Sequence, residues 1–248
     1  MTKVPITKSH NHLMYRIQLL IVSLLILVSI STSAKNLHVI VVTGGHDFDR
    51  ELFFKMFDSF KAISYKELKH PEANLQLGQI DPKTFDAVVF YDMPKTISEA
   101  EKESYHKLLK LGKGLVFLHH SLASYQDWDE FKTIIGGKYH EEINSPQSSS
   151  YQHDVTFQVI IKDPKSPVTK GVADFEVLDE VYGNTEVLPD VTILLTTNNP
   201  KSSSIIGWTH IKEKSRIVYI EPGHDYHSWT NPNYQQIVRQ AIEFVSKK

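Results

Sequence analysis

The sequence predicts an α/β protein, a mainly parallel sheet with helices on both faces. Three observations carry that expectation. Short β-branched apolar runs alternate along the chain with stretches of helical periodicity, the pattern of strand-helix-strand units. The runs are apolar throughout, as in strands buried on both faces. Three of them end on histidine, at His46, at His119-His120 and at His224. Ligands collect outside the carboxyl ends of strands in such sheets, so these distant imidazoles are expected to converge on one pocket.

Residues 37–43 form the first Val/Ile run, which Gly44-Gly45 ends. A helix is expected over about 49–60, because Leu52, Phe53, Met56, Phe57 and Phe60 recur every three or four residues. Strands follow at 63–68 and 87–91. Ser98 with Glu101 reads as a capping box opening a helix that stops at Gly112, and 114–118 is strand again. Residues 127–135 read as a short helix ending at Gly136-Gly137, and 145–150 as a polar loop. Further strands are expected at 155–161, 191–197, 205–209 and 216–220. Asn231 and Pro232 open a last helix, with Ile237, Val238, Ala241, Ile242 and Val245 as its buried face.

Lys3, Lys8 and Arg16 precede the apolar run 19–30 and the small residues Ser31 to Ala34. This reads as a signal peptide over 1–34, removed on export to the periplasm, before a single domain at 35–248. A retained N-terminal membrane anchor is the alternative. The chain has no cysteine, which excludes disulfides and a lipid-modified cysteine. Its net charge is −2, with basic residues scattered. That argues against nucleic acid and for a small, weakly charged ligand.

Gly44-Gly45-His46-Asp47 lacks both the dinucleotide fingerprint and the P-loop ending, so no nucleotide cofactor is expected. Ser121 lacks a nucleophile elbow. Neighbouring residues leaving a strand point to opposite sides, so one member of the His119-His120 pair should face the pocket, and His120 is favoured. Asp179-Glu180-Val181-Tyr182 sets two carboxylates beside a tyrosine, with Glu180 read either as a general base or as an exposed carboxylate on a strand edge. A divalent metal such as zinc would suit imidazole and carboxylate donors, and His46, His120, His153 and His224 are the candidate ligands. No local ligand spacing occurs, so such a site must be assembled from distant residues.

Gly44-Gly45-His46-Asp47, the stretch 114–120, Asp127-Trp128, the stretch 136–140, Asp179 to Tyr182 and Gly223-His224-Asp225 with Trp229 occur in an order that resembles the trehalose-utilisation (ThuA-like) family. The resemblance implies a flavodoxin-like fold similar to class I glutamine amidotransferases. It also implies a role in sugar catabolism, on 3-keto-glycosides made by a partner sugar oxidoreductase. Ser166-Pro167 departs from the His-Pro common in the family. Amidotransferase hydrolysis is disfavoured, since the matching elbow holds His119-His120 in place of cysteine. The expected activity is keto-sugar or glycoside chemistry, with His46, His120, Glu180 and His224 as catalytic residues. His119, Trp128, Tyr182, Asp225 and Trp229 are the expected substrate contacts. The alternative is a sugar-binding domain without catalysis.

Overall fold

The computed structural model describes residues 1–2 and 36–247. Apart from its first two residues, the expected signal peptide lies outside the described residues. Among the described residues, no helix is long and apolar enough to cross a membrane.

Strand β1 (Leu37–Gly44) leads through α1 (Arg50–Asp58), β2 (Ile63–Lys69), α2 (Ala73–Gln79), β3 (Ala87–Asp92) and α3 (Glu99–Leu111) to β4 (Gly114–Leu118). A 3-10 turn (His119–Ala123) and α4 (Asp129–Ile135) come next. The second half holds β5 (Gly137–Lys138), β6 (Ser150–Ile161), β7 (Phe175–Gly183), β8 (Glu186–Val187), β9 (Thr192–Thr196), β10 (Ile205–Lys212) and β11 (Ser215–Ile220). Helices α5 (Tyr226–Trp229) and α6 (Pro232–Val245) close the chain.

Local chemistry sets the helix ends. The Asp49 carboxylate accepts the Leu52 amide at the start of α1, and Ser98 and Glu101 form the complete capping box of α3, which Gly112 ends at φ +69°. Asn231 caps α6 over Pro232. Helix α2 was not anticipated: it is seven residues long and its N-cap, Glu72, makes no side-chain cap.

Among the described residues, nine strands form one sheet in the order β2-β1-β3-β4-β11-β10-β9-β6-β7. The first five are mutually parallel, and β10, β9, β6 and β7 continue antiparallel. The chain runs from β1 out to β2 and then crosses back past β1 to β3, so the direction of the connections reverses there, which makes the switch point where α/β sheets bind ligands. Alternate strand residues feed two cores. Val39 and Val41 pack with Phe53, Phe57 and Ile242 on one face, and Ile40 and Val42 pack with Tyr105, Phe117 and Phe131 on the other.

Strand β7 departs from expectation most usefully. Its buried Asp179 and Glu180 interrupt the apolar signal that marks the other strands, so a functional demand hides the element from its sequence. Strand β6 also begins earlier than expected, at Ser150, and so carries His153.

Gly45 holds the β1 loop against the β3 loop. At φ +87°, a β-carbon here would stand 2.4 Å from the Met93 carbonyl carbon. Gly45→Ala is therefore expected to destabilise the protein by more than about 1 kcal/mol and to displace His46. Urea unfolding measures the first effect.

Candidate functional site

The chain leaves β4 at His119, whose φ of +47° opens the 3-10 turn. Its Nδ1 donates to the Glu221 carbonyl at 2.6 Å, since a carbonyl can only accept. In the neutral ring Nε2 therefore presents a lone pair, and the Tyr182 hydroxyl lies 3.1 Å away. As expected, one imidazole of the pair faces the pocket and the other packs: His120 lines the cleft, while His119 is fully buried and stacks on Tyr182. Both rings reach one carboxylate: Nε2 of His119 and of His120 stand 3.5 and 4.0 Å from Glu180 Oε2.

Glu180 sits on β7, opposite the ends of β4 and β11. The His224 Nδ1 is 2.8 Å from the same oxygen and 3.3 Å from His119 Nε2. Buried Asp179, next along the strand, fixes His224 through its backbone. It accepts the Gly223 amide at 2.8 Å and the His224 amide at 3.1 Å, and it also takes the Ser228 hydroxyl. The Tyr91 hydroxyl donates to the His224 carbonyl at 3.1 Å. Three distant segments are thereby locked at one rim of the sheet.

Glu180 Oε2 is buried, and no hydrogen bond of sound alignment satisfies it, although imidazole nitrogens crowd it. An orphaned carboxylate oxygen so placed normally carries a heavy cost. His119, His120, Glu180 and His224 each present one donor atom, all within 4.8 Å of one another. In a tetrahedral zinc site, bonds of about 2.1 Å put the ligand atoms about 3.4 Å apart. The donor set and its spacing fit a divalent ion of that kind.

Burial alone would raise the Glu180 carboxyl, but the His119 and His224 imidazoles more than offset it and hold the group at about 2. The same contact raises His224 above 6.5 against its own burial. Burial and the neighbouring imidazoles push His120 well down, and burial takes His46 to about 4. At neutral pH His46 and His120 are uncharged and Glu180 is an anion. A carboxyl held below its unfolded value of 4.5 contributes stability that is full above that pH and fades as pH falls toward 2. Metal-free protein is thus expected to lose stability across that window, and less so as Glu180→Gln, in urea unfolding over a pH series.

The other expected site residues divide. His46 packs against His120 with ring centroids 4.0 Å apart and the planes tilted by 37°, but it lies outside the four-donor cluster. His153 Nδ1 is 3.4 Å from Glu180 Oε2, while its side chain is half exposed. Of the four expected ligands, His120 and His224 gather with His119 and Glu180 in the donor cluster, while His46 and His153 lie at its margin. Trp128 packs among Tyr105, Tyr125 and Phe131, and Trp229 among Phe53, Tyr91 and Phe48, its Nε1 on the Gly223 carbonyl. Both are core residues, with no face open to a sugar. Asp225 caps α5 through the His227 amide.

A cleft of about 720 Å³ opens over the cluster, lined on its floor by His120, Ala123, Glu180 and Tyr182. Tyr139, Glu141 and Met93 on the walls were missed by sequence reasoning, as was the clamp Asp179. Tyr139 lies in the stretch 136–140 that carries the family resemblance and Glu141 follows it directly, which was the available signal. Asp179 had the weaker one of adjoining Glu180.

The comparisons with known proteins agree with this architecture. The structure is similar to ThuA-like proteins from Parabacteroides merdae (TM-score 0.73, 16% identity, 86% of this chain and 91% of that one) and Bacteroides uniformis (0.65, 16%, 86% and 92%). It is also similar to PurLQS from Thermotoga maritima (0.54, 9%, 84% and 99%). At these identities the likeness shows the fold, which is the α/β, glutamine amidotransferase-like one. No curated protein matches the sequence. The family model for ThuA, described as trehalose utilisation, matches residues 39–245, nearly the whole described domain, and the chain belongs to that family.

Proposed function

We propose that this protein is an exported enzyme that binds a divalent cation through His119, His120, His224 and Glu180 and acts on a neutral keto-sugar or 3-keto-glycoside in the adjoining cleft. The observation that carries the reading is the buried Glu180 oxygen, crowded by imidazole nitrogens without an aligned hydrogen bond. The family's description supports the carbohydrate class. A partner oxidoreductase would supply the keto group.

When bound, the cation supplies Lewis acidity toward a substrate oxygen. A keto group acidifies the neighbouring C–H, so a base beside the cluster can begin elimination or isomerisation. His153 lines the cleft with Nδ1 toward Glu180, which leaves its Nε2 to accept that proton. Burial raises the Tyr182 phenol well above 10, so it stays a hydrogen-bond donor at neutral pH. The Glu221 carbonyl keeps the His119 lone pair on Nε2, where the cluster needs it.

The test is to purify the protein, expose it to zinc, manganese or nickel, and measure retained metal and turnover of 3-keto-glucosides. About one equivalent of metal, with turnover that a chelator abolishes, is the expected result. Absence of both retained metal and turnover refutes it. Terminal sequencing of the protein secreted to the periplasm checks export, with Lys35 expected first.

A further inference from the structure

Beyond the reacting centre, the cleft continues into a part that the proposed chemistry leaves unused. Its outer walls carry Met93, Tyr139, Ile143 and Tyr151. Ile143 is 82% exposed and Tyr151 61% exposed. Large apolar groups left open beside a cleft mark a binding surface when they adjoin one another at its mouth. Ring contacts run from this mouth to the centre: Tyr151 meets His153 edge-on at 5.3 Å, and His153 meets His224 at 4.8 Å. The volume of about 720 Å³ lies within the ~300–1,000 Å³ typical for drug-sized ligands, so one small ring does not account for it.

The charges narrow the class of ligand. No lysine or arginine lines the cleft among the described residues. Lys95, near enough to act on His120, is ion-paired with Glu141 of the wall. Glu141 and Glu180 are the acidic groups of the lining, so nothing there compensates a phosphate or carboxylate on the ligand. Ser149 and Ser150 offer hydroxyls beside the apolar surface. Apolar faces edged with hydroxyls suit a ring that is flat and uncharged.

We infer that the outer cleft is a subsite for the leaving unit of an uncharged glycoside, an aryl ring or a second sugar, seated between Tyr151 and Ile143. This rests on the carbohydrate reading above and adds which part of the substrate the protein selects.

The test measures binding of methyl β-glucoside, 4-nitrophenyl β-glucoside and 4-nitrophenyl β-glucuronide to the protein by calorimetry, in the wild type and in Tyr151→Ala and Ile143→Ala. The aryl glucoside is expected to bind at least about tenfold more tightly than the methyl glucoside, and the glucuronide to lose that advantage. Each variant should shrink the aryl advantage while leaving methyl glucoside affinity and metal content unchanged, since neither side chain belongs to the cluster. Equal affinities for the aryl and methyl compounds, an advantage that both variants retain, or no binding at all overturns the subsite. Metal content is read on the same samples, so a metal-free protein that keeps the aryl preference refutes the cation and spares the subsite.

Discussion

Glu180→Gln is expected to weaken metal binding by about 100-fold or more, beyond the 10- to 100-fold common for an outer partner of a ligand. The carboxylate is the one anion among the four donors, and the three imidazoles around it bring no charge to offset a dication. Glutamine keeps the size and one carbonyl oxygen but loses that charge. The measurement is zinc affinity by competition with a chromophoric chelator, with turnover on the same samples. Affinity and turnover should fall together. A Gln variant that retains wild-type affinity would remove Glu180 from the site and, with it, the proposed chemistry.

Asp179→Ala is expected to be the most destabilising substitution near the site, at about 3–5 kcal/mol. The removed carboxylate accepts the amides of Glu180, Gly223 and His224 and the Ser228 hydroxyl, all in the interior. Without it these donors stay buried with no acceptor, each at about 1–3 kcal/mol before the structure relaxes. Urea unfolding reads the stability, and the chelator competition reads the second consequence. His224 is held by these bonds, so the variant should bind zinc more weakly even where it is fully folded. Unchanged stability would mean that the clamp on the β11 loop is not structural.

The two substitutions separate two roles that share one dipeptide. Asp179 faces the loop after β11 and positions, whereas Glu180 faces the cleft and presents its charge. Alternation along β7 sends adjacent side chains to opposite faces, which is how neighbours acquire different functions. At His119-His120, just past the end of β4, the outcome is the same, with His120 on the cleft and His119 buried, although both rings still reach Glu180.

Much of the fold was legible. The central parallel strands β1, β3, β4 and β11 announce themselves as largely apolar runs, and the capping box at Ser98 and the proline at the start of α6 are local signals with local causes. The antiparallel half was less legible. Carboxylates inside β7 hide that strand, and polar residues hide the first part of β6, whose burial is decided by what lies across from it. Trp128 and Trp229 show the limit of composition. Aromatic residues beside a site motif suit a sugar equally well on paper, but the packing of α1, α3 and α4 takes both rings into the core.

By itself the sequence determined that β-branched runs would stack into a sheet and that histidines would stand at the ends of its strands, because propensity and periodicity act over a few residues. Only the tertiary structure decided which nitrogens meet which oxygen. His119 is joined to Tyr182 across 63 positions, to Glu221 across 102 and to His224 across 105. Contacts at that range follow from strand order and from the turn at His119, and no short stretch of chain records them.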